Sequence, residues 1–563
     1  MRFRWRFFGG RKKQDIALDE IFLDSSNLSG LNTDQFEGHL EKPISKYSIF
    51  TLAIAFLVVG LIILVKSFIL QIEEGEVYAI LSEKNRLRHH PIFAERGVMY
   101  DRKENEIGWN VIHEDEDFFS RKYIDAPGLS QLIGYVSYPK RDTSGVYYEM
   151  EISGTAGAEK VFNTLLAGES GMQIIETDAL QRIQSASVLR KPISGTNLHL
   201  SIDADVQKKL YAVMDDLAGR VGFDAGAAVI MDVKTGELLS LVSYPEFSSN
   251  VLASASNTAA ITEYQNDRRK PFLNRAVSGL YTPGSIMKPF FALAALNEGI
   301  ITPTKQILST GSISIQNPYD PDKSTIFLDW KEHGLVDMRR ALAMSSNVYF
   351  YEIGGGYKDQ KGLGITKIEE YARLFGFGKE VGIGIAPELP GVIPSPAWKA
   401  ENFEDKTWRL GDTYNTAIGQ YGWEVSPLQV VRAFAAVANN GKLLLPQLLK
   451  MPLGFQAPGV ELAIPQEHFK VVQEGMRAVV TEGTGQGLSF PNIHVAGKTG
   501  TAQIGISKKY VNSWAVGFFP YEHPRYAFAV VMEHGPVENL TGGVFVMNQL
   551  LAWMQIYTPE YLQ

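Results

Sequence analysis

The sequence predicts an α+β protein: one mostly antiparallel sheet with helices packed on its faces, placed after an extended pedestal and a single N-terminal membrane helix. Three observations predict it. A run without charge, Tyr47 to Val65, stands near the start of the chain. Short strand-like apolar runs follow residue 198 and recur near the C-terminus, with helix-like stretches between them, so strands from both ends pair in one sheet. In the middle lies PFFALAAL, 289 to 296, apolar on every side, as befits a helix buried inside a domain.

The chain has 563 residues, enough for several domains, and its 45% hydrophobic content with mixed charge is that of a globular protein. A net charge of -8 without a long basic stripe argues against nucleic acid as a partner. Cysteine is absent, which excludes disulfides, thiolate chemistry and Cys-based metal sites.

The elements follow in order. Residues 1–46 mix basic, acidic and polar residues without periodicity and read as a cytoplasmic tail. Residues 47–70 are long and apolar enough to span a bilayer, Lys66 being able to snorkel. A cleaved signal peptide is the alternative, but QIEEGEVYAI after the span offers no small-residue cleavage site. The basic start, Arg2 to Lys13, suits an N-terminus inside the cell membrane and a long C-terminal part outside it. Residues 71–195 hold short apolar runs broken by charges and glycines, a mixed pedestal that ends in the linker-like RKPISGTN.

The second region, 196–563, opens with a short strand and a helix that Asp203 is placed to cap. AAVIMDV and ELLSLVSY read as a hairpin turning at Lys234, Thr235 and Gly236. HVAGKTGTAQ, NSWAVGFF and YAFAVVMEH read as three more strands, the last two joined by PYEHPR.

Chemistry concentrates in YTPGSIMKPFFALAAL. Ser285 opens the buried helix after a turn at Thr282 to Gly284, and Lys288 stands three residues on, placing a hydroxyl and an amine on one face. An ammonium at the mouth of so apolar a helix is costly to bury unless paired or neutralised. Ser-x-x-Lys alone is weak, since Ser137 to Lys140 repeats it in a loop. Ser345 and Asn347 follow about sixty residues later, and Lys498, Thr499, Gly500 and Thr501 roughly 150 further on at a strand. Each has a decoy, Ser248 with Asn250 and Lys234 to Gly236, so it is the ordered set that carries weight.

With this set the chain resembles a class B penicillin-binding protein, a membrane-anchored peptidoglycan D,D-transpeptidase with a β-lactamase/transpeptidase-like domain. The resemblance extends to NRAVSGLYTPGS, IGQ (418–420), SPLQ (426–429), GMRAVVTEGTG (475–485) and, in the pedestal, Arg96, Gly97, Asp101 and Arg102. Phe350 and Tyr351 after the Asn resemble the elongation branch rather than the division branch. Tyr421 departs from the Gly that usually follows IGQ, and Lys103 and Glu104 from the Asn-Gly that usually ends the pedestal signature. The resemblance implies Ser285 as nucleophile on a peptidoglycan stem peptide, Lys288 as base, Ser345 as proton relay, and Asn347 holding the substrate amide or Lys288. It further implies Lys498, Thr499 and Thr501 receiving the terminal carboxylate, and an oxyanion hole from the N–H groups of Ser285 and Thr501. It implies β-lactams as inhibitors, no cofactor, and a SEDS-family glycan polymerase and other elongation-complex membrane proteins as partners.

The nearest rivals are a D,D-carboxypeptidase or β-lactamase on the same scaffold, or a non-enzymatic β-lactam sensor or polymerase-activating scaffold. Asp329 and His333, four apart, are placed to share a helix face near where some elongation-type relatives bind zinc; those sites use a cysteine, so no metal is expected here. Trp398 and Trp408 flank the charged AENFEDK, either lining a substrate groove or packing on the surface, and Gly354 to Gly356 with Gly362 and Gly364 shape a loop.

Overall fold

The computed structural model describes residues 45–112, 116–143, 147–177, 183–317, 320–505, 509–539 and 541–563. The tail expected over 1–46 lies outside the described residues up to 44. The chain forms two compact units, Met1–Leu87 and Arg88–Gln563.

In the first unit, helix α1 (Lys46–Phe68) starts where the Ser45 hydroxyl accepts the Tyr47 N–H. With the wider turn Ile69–Glu73 it makes a 28-residue helix long and apolar enough to cross a membrane. Its large side chains face outward, Phe56 and Leu57 at 71% and 70% exposure. A second helix covers Gly75–Arg86.

The second unit begins with short strands. Leu198–His199, Met99–Tyr100, Glu106–Val111 and Ser120–Tyr123 form one four-stranded sheet in that order, with Leu198 paired in parallel to Met99. Beneath it the Arg96 Nε and Arg121 Nε donate to opposite oxygens of Glu159, at 2.6 and 2.8 Å, with all three side chains buried. Arg96 also donates to the Ile152 carbonyl and to Asn163 Oδ1. The other pedestal signature residues are structural too. Asp101 Oδ1 accepts the N–H groups of Lys103 and Asn105, closing a turn, and Arg102 pairs with Glu237 at 3.1 Å.

Helix α2 (Ala204–Val221) is capped by Asp203, whose Oδ1 accepts from Asp205 and Val206, as its sequence predicts. The central sheet contains β1 (Ala225–Asp232) and β2 (Leu238–Tyr244), which make the expected hairpin. Three more elements of the middle matter for the site: α3 (Lys288–Asn297), α4 (Met338–Ala343) and α5 (Asn347–Gly355). They are followed by α6 (Pro427–Ala438) and α7 (Gln466–Thr481). The sheet is completed by β3 (Ala496–Ile504), β4 (Tyr510–Phe519) and β5 (Tyr526–Pro536), after which α8 (Gly543–Tyr557) ends the fold.

The sheet order is β2-β1-β5-β4-β3, every pair antiparallel. The first and last strands of this sheet thus meet at β1 and β5, where Val229 faces Ala529. Side chains alternate between two cores with the two-residue period of a strand. Ala227, Val229 and Val531 pack with Phe290, Phe291, Val431 and Phe434 of α3 and α6. Ala228, Ile230 and Val530 pack with Leu210, Met214 and Leu550 of α2 and α8. Each valine, leucine, isoleucine, methionine or phenylalanine among them contributes about 1.5–3 kcal/mol when taken out of water, before entropy is counted.

Candidate active site

Ser285 stands on a 3₁₀ turn, Gly284–Met287, and α3 begins only at Lys288, whereas the sequence led us to expect the serine to open the helix itself. Proline explains the difference. In an α-helix residue 289 would donate to the Ser285 carbonyl; Pro289 has no N–H, so the carbonyl takes the N–H of Lys288 instead, tightening the turn. Three residues per turn eclipse positions i and i+3, which brings Lys288 beneath Ser285. The turn is clamped from both sides. Gly284 N–H donates to the Gly419 carbonyl at 2.9 Å, and the Trp514 indole donates to the Thr282 carbonyl at 3.1 Å. Gly500 permits the close approach of β3: a Cβ there would stand 2.8 Å from the Pro283 carbonyl oxygen and 2.9 Å from Ile286.

Lys288 is fully buried, and its Nζ donates to the Ser345 carbonyl at 2.7 Å, to Ser345 Oγ at 3.3 Å and to Asn347 Oδ1 at 2.7 Å. From the other side the Lys498 Nζ donates to the same Ser345 Oγ at 2.9 Å and to the Thr499 carbonyl at 3.0 Å. One hydroxyl therefore lies between two buried amines. Ser345 holds this place in a left-handed conformation, φ 55°, between α4 and α5, a strain borne only where the surroundings fix it. Burial pushes the Lys288 amine down to about 7, against the pull of Asp329. Burial and the charge of Lys288 push Lys498 well below the ordinary lysine range.

Ser285, Ser345, Asn347, Thr499, Gly500 and Thr501 line one cleft of about 510 Å³. Lys288 and Lys498 lie buried at 0% and 1% exposure, bonded to its Ser345. The structure thus brings together every residue the ordered motifs singled out. It also adds residues that sequence reasoning missed. Thr484 bonds hydroxyl to hydroxyl with Thr499 at 2.7 Å, and Trp330, Ser513, Trp514, Gly542 and Val544 complete the lining. Thr484 sits in GMRAVVTEGTG, so its run was visible; Trp330 and Val544 carry no local signal.

Asp329 and His333 do not share a helix. They lie in the loop between the strands Asp320–Leu328 and Gly334–Val336, where Gly334 at φ 69° turns the chain. Asp329 keeps His333 as a neighbour, its Oδ1 3.7 Å from the His333 Nε2, and also binds the start of α5: its Oδ2 accepts the Val348 N–H at 3.0 Å and the Ser346 hydroxyl at 2.8 Å. Burial alone would raise this carboxyl, but those donors and Lys288 hold it below the ordinary range. Trp398 and Trp408 do not line the cleft. They pack edge-on against Tyr421, at 5.8 and 5.7 Å between ring centroids.

Comparison with known proteins follows the same outline. The transpeptidase domain of penicillin-binding proteins matches residues 226–549, and the penicillin-binding protein dimerisation domain matches 114–200. The peptidoglycan D,D-transpeptidase MrdA of Acinetobacter baumannii is 32% identical over 448 residues, 75% of this chain and 64% of that protein's length. MrdA of Salmonella typhimurium is 29% identical over 508 residues, covering 83% of this chain and 78% of that one. The crystal structure of Pseudomonas aeruginosa PBP2 in complex with WCK 5153 superposes with a TM-score of 0.68 at 27% identity, over 84% of this chain and 98% of that one. A chain from a peptidoglycan synthase complex that coordinates polymerization and crosslinking gives 0.70 at 25% identity, over 92% and 98%. Since the transpeptidase match alone runs through more than half of the chain and the relatives share both its regions, this chain belongs to the class B penicillin-binding proteins of the elongation type.

Proposed function

We propose that this protein is a membrane-anchored D,D-transpeptidase that crosslinks peptidoglycan stem peptides during cell-wall elongation and is acylated by β-lactams. The observation that carries the reading is the Ser345 hydroxyl held between the Lys288 and Lys498 amines beside Ser285. An acyl carbon needs a nucleophile, a base and a proton path to the leaving amine, and this arrangement contains all three.

Neutral Lys288 takes the Ser285 proton as Oγ attacks the carbonyl of the penultimate D-Ala. N–H groups of Ser285 and Thr501 receive the oxyanion. The peptide bond breaks, Ser345 passes a proton from Lys288 to the departing D-Ala nitrogen, and an acyl-enzyme remains. The amine of a second stem then attacks that ester and gives a proton to Lys288, which passes it to the Ser285 Oγ as the ester bond breaks, restoring the hydroxyl and the neutral base. Asn347 holds Lys288 at 2.7 Å, so of the two roles open to it we assign the positioning of the base. Lys498, Thr499 and Thr501 receive the terminal carboxylate, whose charge favours the protonated form of Lys498 and which accepts from that ammonium and the two hydroxyls.

The N-terminus is cytoplasmic and the catalytic unit lies on the outer side, in keeping with the basic start and the chemistry of the wall. Glycan polymerisation comes from a membrane partner of the SEDS class; the likeness to a chain of a synthase complex supports this. Fluorescent penicillin labels the wild type and not Ser285→Ala; equal labelling of both would remove the nucleophile assignment. With a polymerase and lipid-linked precursor, crosslinked dimers are expected, and trimmed monomers alone would make the protein a carboxypeptidase.

A further inference from the structure

Two features left unused by the catalytic reading meet in one place. Tyr421 stands at φ 69°, a left-handed conformation unfavourable for a bulky residue and kept only where the surroundings fix it. Its ring is enclosed by the edges of Trp398 and Trp408 and lies parallel to Phe403, centroids 6.0 Å apart at 11°. Phe403 is 45% exposed, and Trp398, Trp408 and Tyr421 are half-buried, so the cluster presents ring surface to solvent rather than sealing a core. Underneath, Lys399 reaches Asp412 at 2.7 Å and stands 5.9 Å over the Tyr421 ring, anchoring the platform without lending it net charge.

This platform adjoins the nucleophile. Gln420 precedes Tyr421, its amide nitrogen is 3.7 Å from where a Cβ on Gly284 would stand, and Ser285 is the next residue. From Tyr421 the backbone runs back two residues to Gly419, across the 2.9 Å bond to the Gly284 N–H and on one residue to Ser285, which holds the two Cα atoms within ~18 Å, the reach of about five extended residues.

We propose that the Trp398, Phe403, Trp408 and Tyr421 platform binds the glycan strand that carries the stem peptide, through the apolar faces of its N-acetylhexosamine rings. The inference rests on the transpeptidase reading of the cleft. Pyranose rings offer flat, weakly positive C–H faces to the negative faces of aromatic rings, and their hydroxyls suit the exposed carboxylates of Glu401 and Glu404 at the rim.

Chitotetraose, a peptide-free N-acetylglucosamine oligomer, tests this on the full-length protein in detergent micelles, followed by tryptophan fluorescence and saturation-transfer NMR. Saturable binding is expected in the wild type, weakened about tenfold or more in Trp408→Ala and largely kept in Trp408→Phe. Tyr421→Gly, which suits the left-handed backbone, is expected to fold and to lose binding to a similar extent. Wild-type protein that is labelled by fluorescent penicillin yet shows no binding overturns the glycan site and leaves the transpeptidase reading intact. So does binding that Trp408→Ala and Tyr421→Gly leave unchanged, or a free stem peptide that occupies the platform while chitotetraose does not. Wild-type protein that penicillin fails to label removes the transpeptidase reading, and the glycan proposal with it.

Discussion

At the scale of residues, the two amines of the cleft set the pH response. A base must be neutral to take the Ser285 proton, and Lys288 is lowered to about 7 by burial. The acylation rate with penicillin is therefore expected to rise about tenfold per pH unit below that value and to level off above it. Asp329 raises the same amine, so Asp329→Asn shifts the midpoint toward acid. It also loosens the start of α5 and costs about a hundredfold in rate through misplacement of Ser345. A pH–rate profile of this variant that kept the wild-type midpoint would show that the carboxylate acts on geometry alone. The catalytic set was legible because its members recur in a fixed order. The role of Asp329 was not, since a helical reading of FLDWKEHG placed it with His333, and only tertiary packing brings it to Ser346 and Val348.

At the scale of elements, the fit of β3 against the nucleophile turn is the sensitive joint. Gly500→Ala adds a methyl 2.8 Å from the Pro283 carbonyl oxygen, and the turn must move. A stability loss of about 1–3 kcal/mol is expected from such overpacking, with a larger loss of acylation than of melting temperature. Acylation falling only in step with stability would mean that the turn's position is not critical. Strands, helices and the Asp203 cap follow from local pattern. The 3₁₀ turn under Ser285 was also present in the sequence, in Pro289, but Ser-x-x-Lys followed by an apolar run masks it as one continuous helix. The turn that Asp101 closes was not read from the pedestal signature, and the partners of Lys103 and Glu104 came from far along the chain. Lys103 reaches Asp203 and Glu560, and Glu104 pairs with Lys450.

At the scale of the whole molecule, Glu159 holds two buried arginines, so Glu159→Ala leaves both without their carboxylate and costs about 3–5 kcal/mol. The expected sign is faster protease cleavage in the pedestal; cleavage at the wild-type rate would make the cluster dispensable. Overall architecture was legible in the two clusters of strand-like runs, because an antiparallel sheet built from chain ends leaves alternation at both. The packing of the pedestal was not, since its strands are two to eight residues long and its buried charges read as surface.

The strand order has a consequence for biosynthesis. Residues 526–536 supply the centre of the sheet, so while the chain emerges the β1–β2 hairpin waits with an open edge for more than 280 residues. Closure then comes late and all at once. The cleft is expected to stay inert until those residues have been delivered: a chain stopped before Tyr526 carries every motif of the cleft yet lacks the strand that joins β1 to β4, so it should not be labelled by penicillin.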